Sequence, residues 1–286
     1  MKRWATLAIG LSAATLHAQP AGRRPVDPET LGQAQANIWV PVDTLTQPTA
    51  TARREAMVAH IRRTLAARGS TLPPAAVERV LAAMRTIARE DFVGPEASAQ
   101  AYLPTSLDIG YGQTISDPYI VALMTAAAGV KRGDRVLDIG TGSGYQAALL
   151  ARLGGRVHSV EIVPELARAA GERLRRLGYR TVSVAAGDGF AGAAGRGPFD
   201  VIVVAAGTTA VPSALLAQLK PGGRMVIPVG PSQLTETLLV VTKTRDGRVT
   251  RCSLGRAAFV PLVGDATRTP AGPSDPVPLC YGRPIT

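Results

Sequence analysis

Val136-Leu-Asp-Ile-Gly-Thr-Gly-Ser-Gly-Tyr145 is the stretch on which the fold of this 286-residue chain turns. Val136 to Ile139 is a short run, apolar except for Asp138, and reads as a buried strand. Glycines 140, 142 and 144 can take positive φ angles and leave backbone bare to a ligand, and a helix opens near Tyr145. Strand, glycine turn and helix together make the first half of a parallel βαβ unit. Downstream the alternation continues. Val157–Glu161 is the next strand, and Pro164 opens a helix to Leu177. Val182–Ala185 and Val201–Val204 are strands; a helix over Val211–Leu219 ends at Pro221-Gly222-Gly223; Met225–Val229 follows. This pattern predicts an α/β fold with a doubly wound, mostly parallel, Rossmann-like sheet. Thr237–Thr244, a turn at Asp246-Gly247 and Val249–Leu254 predict an antiparallel hairpin at its edge. Upstream, Met57, Val58, Ile61 and Leu65 place a helix over 53–68. A second helix begins near Pro73-Pro74, and a third starts at Pro118 after the glycine-punctuated loop Leu107–Asp117.

Composition narrows the class. Hydrophobic residues at 46% and charged ones at 19% exclude a disordered or fibrous chain. Thirty-two Lys+Arg against 21 Asp+Glu give +11, but the arginines are scattered among alanines and glycines, with only four Phe and six Tyr. That reads as a solvated basic surface, not a nucleic-acid site. Three His, and two Cys outside any CxxC, give no zinc pattern, and no metal is expected. No internal repeats are visible.

Residues 1–18 are built like an export signal: Lys2 and Arg3, an apolar run from Trp4 to Leu16, and Ala18 before a cut. The expectation is an exported, periplasmic protein without stable membrane insertion, starting near Gln19. Removal of two positive charges (11 − 2) leaves +9. In an oxidising compartment the pairing of Cys252 with Cys280 is open. The proline-containing segment 19–50 reads as a linker or arm, 51–264 as the folded domain and 265–286 as a proline-rich tail.

Three polar features fall at the carboxyl ends of the predicted strands, where open α/β sheets bind ligands: the glycine turn, Glu161, and Gly187-Asp188-Gly189. A turn of this kind alone fits S-adenosylmethionine, a nicotinamide dinucleotide or no ligand at all. Two details favour the first. The spacing is GxGxG, not GxGxxG, and Asp138 ends the strand with a carboxylate suited to a cation better than to a diphosphate. Asp138, Gly140, Thr141, Gly142, Ser143, Gly144, Glu161, Asp188 and Gly189 are the candidate cofactor residues, with Glu161 accepting from the ribose hydroxyls.

A wider set of motifs carries a resemblance. Arg89-Glu-Asp-Phe-Val93, Gly110-Tyr-Gly-Gln-Thr-Ile-Ser-Asp-Pro-Tyr119, DIGTGSGYQ (138–146), GDG (187–189), PFDVIVV (198–204), LKPGGRMVIPVG (219–230) and Phe259-Val-Pro-Leu262 follow one another in family order. Over about residues 53–264 the chain resembles the protein-L-isoaspartate (D-aspartate) O-methyltransferases. The resemblance implies a seven-stranded class I methyltransferase fold and S-adenosylmethionine as cofactor. It also implies repair of L-isoaspartyl and D-aspartyl residues in damaged proteins by methylation of the aberrant carboxylate, and a cytoplasmic site as the usual one for the family. Ser116 matches the family's active-site serine, and Gln113, Thr114 and Ser116 offer an amide and two hydroxyls to a carboxylate. Ser116 could also cap the helix that starts at Pro118. The chain departs from the family at Ala205-Ala-Gly-Thr-Thr209, where Ala-Ala-Pro is usual, and at Tyr111, where many bacterial members carry Gln. The expected partners are isoaspartyl-containing proteins and peptides, and a monomer is expected. The alternatives are a class I methyltransferase acting on another protein or a small molecule, and a binding protein with a degenerate cofactor site.

Overall fold

The computed structural model describes residues 48–231, 236–265 and 277–280, all in the second of two units, Met1–Gln47 and Pro48–Thr286. The expected leader 1–18, nearly all of the arm and most of the tail lie outside the described residues. Helix α1 (Ala50–Ala67) starts three residues before the expected residue 53, because the Thr49 hydroxyl accepts from Ala52 N at 3.1 Å and caps it. Helix α2 (Pro74–Arg85) carries proline at its first position. The loop before the third helix folds into a small hairpin, β1 (Leu107–Asp108) against β2 (Thr114–Ile115). Its tip Gly110-Tyr111-Gly112 holds φ angles of 86°, 58° and 68°, a conformation glycine favours. Helix α3 (Pro118–Ala128) ends on Gly129 at φ 64°.

Seven strands form the main sheet: β3 (Arg135–Ile139), β4 (Arg156–Glu161), β5 (Val182–Ala186), β6 (Phe199–Val204), β7 (Leu219–Val229), β8 (Glu236–Lys243) and β9 (Val249–Ala257). Their order is β5-β4-β3-β6-β7-β8-β9, with β8 and β9 antiparallel and the rest parallel. The expected mostly parallel sheet with an antiparallel edge is what forms. Helices α4 (Tyr145–Arg152), α5 (Pro164–Arg176) and α6 (Ser213–Gln218) make the crossovers after β3, β4 and β6. Alternate residues of β3 enter different cores. Val136 joins Met84, Val121 and Leu149 from the helices on one face; Leu137 and Ile139 join Leu215 of α6 on the other. Both faces are covered, so these strands read as continuous apolar runs. Each such Val, Ile or Leu contributes about 1.5–3 kcal/mol by leaving water.

One boundary differs from expectation. Pro221-Gly222-Gly223 does not stop the chain between helix and strand; it lies inside β7, where Leu219 pairs Phe199 and the ladder slips before Val201 pairs Arg224. Gly222 takes φ 85° there, and a Cβ on Gly223 would stand 2.9 Å from the Asp200 carbonyl. The glycines make a bulge, not a terminus.

Cys252 and Cys280 are joined as a disulfide. Around it Ser253 N donates to Pro278 O (2.7 Å), Cys280 N donates to Ser253 O (2.8 Å), and the Thr71 hydroxyl donates to Cys280 O (2.7 Å). No helix among the described residues is long and apolar enough to cross a membrane, and no described cluster of His, Cys, Asp and Glu could hold a metal ion.

Candidate active site

Strand β3 has β4 on one side and β6 on the other, so the chain leaves it in opposite directions and a crevice opens at the strand ends. Ile139 pairs Val160, and Val204 pairs Ile139, which sets Gly140, Glu161 and Ala205 side by side. The turn is drawn tight by Gly140 N and Thr141 N, which donate to Val160 O at 2.9 and 3.3 Å, and by Gly144 N on Thr141 O at 2.8 Å. Gly140, Gly142 and Gly144 hold φ angles of 85°, 50° and 89°. Only residues without a Cβ take these cheaply. The buried Glu161 carboxylate braces the turn: Gly142 N donates to Oε2 at 2.7 Å and Val163 N to Oε1 at 3.1 Å. Each oxygen keeps a second lone pair for an incoming hydroxyl.

The cleft is lined by Gln113, Thr114 and Ser116 from the hairpin and its exit, Gly140–Ser143 and Glu161 from the strand ends, and Gly189. These are nine of the twelve residues the sequence singled out. Ser116 does not cap α3. That role belongs to Asp117, whose Oδ1 accepts from Tyr119 N at 2.7 Å, and the Ser116 hydroxyl is left to the cleft.

Three expected cofactor contacts stand elsewhere. Gly144 supports the turn from behind, where a Cβ would meet Leu174 at 3.2 Å. The Asp188 carboxylate accepts from Phe190 N at 2.8 Å and from Asp265 N at 3.0 Å, tying the segment after β9 to the sheet. As in Glu161, each of its oxygens keeps a second lone pair. Asp138 is wholly enclosed beneath the glycine turn. Ser159 Oγ donates to its Oδ2 at 2.7 Å and lies 2.6 Å from Thr141 Oγ1, while Oδ1 has no partner among the described residues.

Burial pushes the Asp138 carboxyl up to about 7, the Ser159 hydroxyl opposing and the Glu161 charge adding to it. Its folded value is thus above the unfolded ~3.9, so between about pH 4 and 7 the folded state holds a proton that the unfolded chain has released. Stability of the ligand-free protein should fall as pH rises through that window. At ~1.4 kcal/mol per pH unit the loss is at most about 4 kcal/mol. Asp138→Asn should flatten this slope in thermal melts from pH 4.5 to 7.5; an unchanged slope would place the titrating group elsewhere.

Periodicity gave no hint of the far wall. Phe259–Leu262 folds back along Gly207: Gly207 N donates to Val260 O at 2.8 Å and Leu262 N to Gly207 O at 2.7 Å. Buried Glu236 sits beneath, its Oε2 accepting from Phe259 N at 2.8 Å. A Cβ at residue 207 would lie 1.6 Å from Glu236 Oε1, which accounts for glycine in the departure at 205–209. The other departure, Tyr111, is an exposed side chain at the hairpin tip.

Glu161 is the one charged side chain among the described residues that line the cleft. A sulfonium-bearing nucleoside fits: Glu161 for the ribose hydroxyls, and apolar Val160, Ile162 and Leu262 beside it for a flat base.

The comparisons agree with this geometry. The family model described as Protein-L-isoaspartate(D-aspartate) O-methyltransferase matches residues 71–267. Protein-L-isoaspartate O-methyltransferase 2 of Polaromonas sp. (strain JS666) is 47% identical over 210 residues, 73% of this chain and 98% of its own length. Protein-L-isoaspartate O-methyltransferase 1 of Cupriavidus necator is 52% identical over 186 residues, 65% of this chain and 72% of its own. A solved protein-L-isoaspartate O-methyltransferase superposes with a TM-score of 0.63 at 28% identity, covering 74% of this chain and 67% of that one. The solved Plasmodium falciparum protein, titled as a putative member in complex with S-adenosyl-L-homocysteine, shares the fold at TM-score 0.61 and 23% identity, over 73% of this chain and 98% of that one.

Proposed function

We propose, from the premise that this chain belongs to the protein-L-isoaspartate(D-aspartate) O-methyltransferase family, a mechanism in which the hairpin side of the cleft presents a damaged carboxylate to a methyl donor. The protein is an S-adenosylmethionine-dependent protein-L-isoaspartate O-methyltransferase, acting on L-isoaspartyl and D-aspartyl residues of damaged proteins. One observation carries the residue assignments: the cleft joins Glu161, the only charged side chain among its described lining residues, with the neutral donors Gln113, Thr114 and Ser116.

When bound, S-adenosylmethionine supplies an electrophilic methyl group on a positive sulfur. Glu161 and the Gly140–Gly144 turn would hold its nucleoside. The chain's own task is then one of placement. An isoaspartyl carboxyl, with a pKa near ~4, is ionised at neutral pH and is itself the nucleophile, so no general base is required. Ser116, Thr114 and Gln113 orient it through neutral hydrogen bonds, which restrain the oxygen without draining its electron density. Holding two reactants in line in a water-poor cleft can lower the barrier by ~7–11 kcal/mol. Methyl-ester formation on an isoaspartyl peptide, measured against its aspartyl counterpart, tests the reading. Equal transfer to both, or transfer to neither with a small molecule methylated instead, overturns it.

We also propose that the enzyme is exported and acts as a monomer on isoaspartyl proteins, without nucleic acid and without stable membrane insertion. The basic–apolar–small order of residues 1–18 motivates the export. The Cys252–Cys280 disulfide supports it, since such bonds persist in oxidising compartments. Protein purified from its native cell should begin near Gln19 and show no free thiol. A chain that begins at Met1, reduced and found with cytoplasmic markers, would defeat the proposal.

A further inference from the structure

The motif Arg89-Glu-Asp-Phe-Val93 has so far no function attached to it, and its first residue is unusual. Arg89 is completely buried. Its Nε donates to Ala101 O and its Nη2 to Ser116 O, both at 2.7 Å, while Nη1 has no partner among the described residues. The guanidinium lies over the Tyr145 ring, 4.8 Å from its centroid. Among the described residues no carboxylate forms a salt bridge with it. Glu90 is engaged by Tyr102 and by Arg54 at 3.6 Å, and Asp117, which caps α3, acts on the guanidinium only through space. Buried cations are ordinarily paired, because an isolated one is costly. Burial pushes the Arg89 guanidinium below its ordinary value, yet arginine stays protonated in proteins.

What it faces gives the reason. Both groups it touches on that side, Ser116 and Tyr145, line the cleft. The substrate of the proposed reaction is an anion, and no side chain among the described lining residues is positive. We infer that Arg89 is a positioning residue with two effects: its Nη2 bond sets the Ser116 backbone, and its charge, held in no salt bridge among the described residues and one residue behind the cleft wall, attracts the substrate carboxylate without hydrogen-bonding to it. A cation in direct contact would bind the carboxylate and blunt its attack; the same charge behind a wall binds it and leaves the oxygen free. In a low-dielectric interior such a charge acts over several ångströms. Reading Arg89 in this way rests on the proposed isoaspartyl chemistry.

The test compares an isoaspartyl peptide with the same peptide carrying a neutral α-carboxamide in place of the free α-carboxylate, both bound in the presence of S-adenosylhomocysteine. Arg89→Met should weaken the carboxylate peptide roughly tenfold or more relative to the amide peptide, since about 1.4 kcal/mol is a factor of ten. Its affinity for S-adenosylhomocysteine should change by less than about twofold on that scale. Arg89→Lys keeps the charge but not both carbonyl bonds, so it should keep the carboxylate preference while turnover falls. A merely structural arginine would lower both peptides, or the cofactor, alike. That result overturns the inference, as does an Arg89→Met protein with the wild-type preference. If Arg89→Met does not fold, Arg89→Lys decides alone: loss of preference with the charge retained sinks it. Wild-type protein that fails to methylate the isoaspartyl peptide would instead overturn the underlying reading, and this inference with it.

Discussion

Replacing Glu161 with alanine is expected to raise the Michaelis constant for S-adenosylmethionine about a hundredfold, the gain from losing two charge-assisted hydrogen bonds at ~1.5 kcal/mol each. Two contributions converge on this carboxylate. It braces the glycine turn through Gly142 N and Val163 N, and its remaining lone pairs are the proposed acceptors for ribose hydroxyls. Glu161→Gln separates them. The amide keeps the length but has one acceptor oxygen, so one backbone donor loses its partner, and a loss of about tenfold is expected. The measurement is direct titration of S-adenosylhomocysteine beside steady-state kinetics. Unchanged affinity in Glu161→Ala would mean that the end of β4 does not hold the cofactor.

Ser116→Ala is expected to cut turnover roughly thirtyfold or more while cofactor affinity stays at wild-type level. Loss of a contact made in the transition state lowers kcat and kcat/KM together. The structure makes this substitution a clean probe. The Ser116 carbonyl is held by Arg89, and the helix behind it is capped by Asp117, so the backbone does not depend on the hydroxyl. The thermal midpoint should therefore hardly move, since a change under ~0.5 kcal/mol shifts it by only a few degrees. Wild-type turnover in Ser116→Ala would remove the residue from the catalytic site.

How far the sequence alone reached follows from which interactions are local. The strands β3 to β6 and their helices were legible because buried parallel strands read as apolar runs and glycine turns punctuate them. The QTIS loop and the GxGxG turn were legible for the same reason: each is a continuous segment that must present bare backbone or small polar groups. What stayed hidden was non-local. Glu236 under Gly207, and Val260 paired to Gly207, join residues far apart in the chain, and no periodicity marks them. Ser116 shows the opposite case: it had the residue type of a helix cap, but the next residue, Asp117, took that role. Arg89 was visible only as part of a motif; that it is a buried cation held in no salt bridge among the described residues depends on the fold around it.

The disulfide has a consequence for solubility. Strand β9 is the last in the sheet, and an uncovered outermost strand invites pairing with another chain. Here the segment 277–280 lies along it, with Leu279 bridged to Ser253 and Cys280 bonded to Cys252, so the chain itself occupies the ladder position at the middle of β9 that a second molecule would need. The bond keeps this plug at a high effective concentration beside β9, which puts a bimolecular competitor at a disadvantage. Reduction would therefore show itself first as growth of soluble assemblies through β9, with the cleft at the far side of β3 still formed.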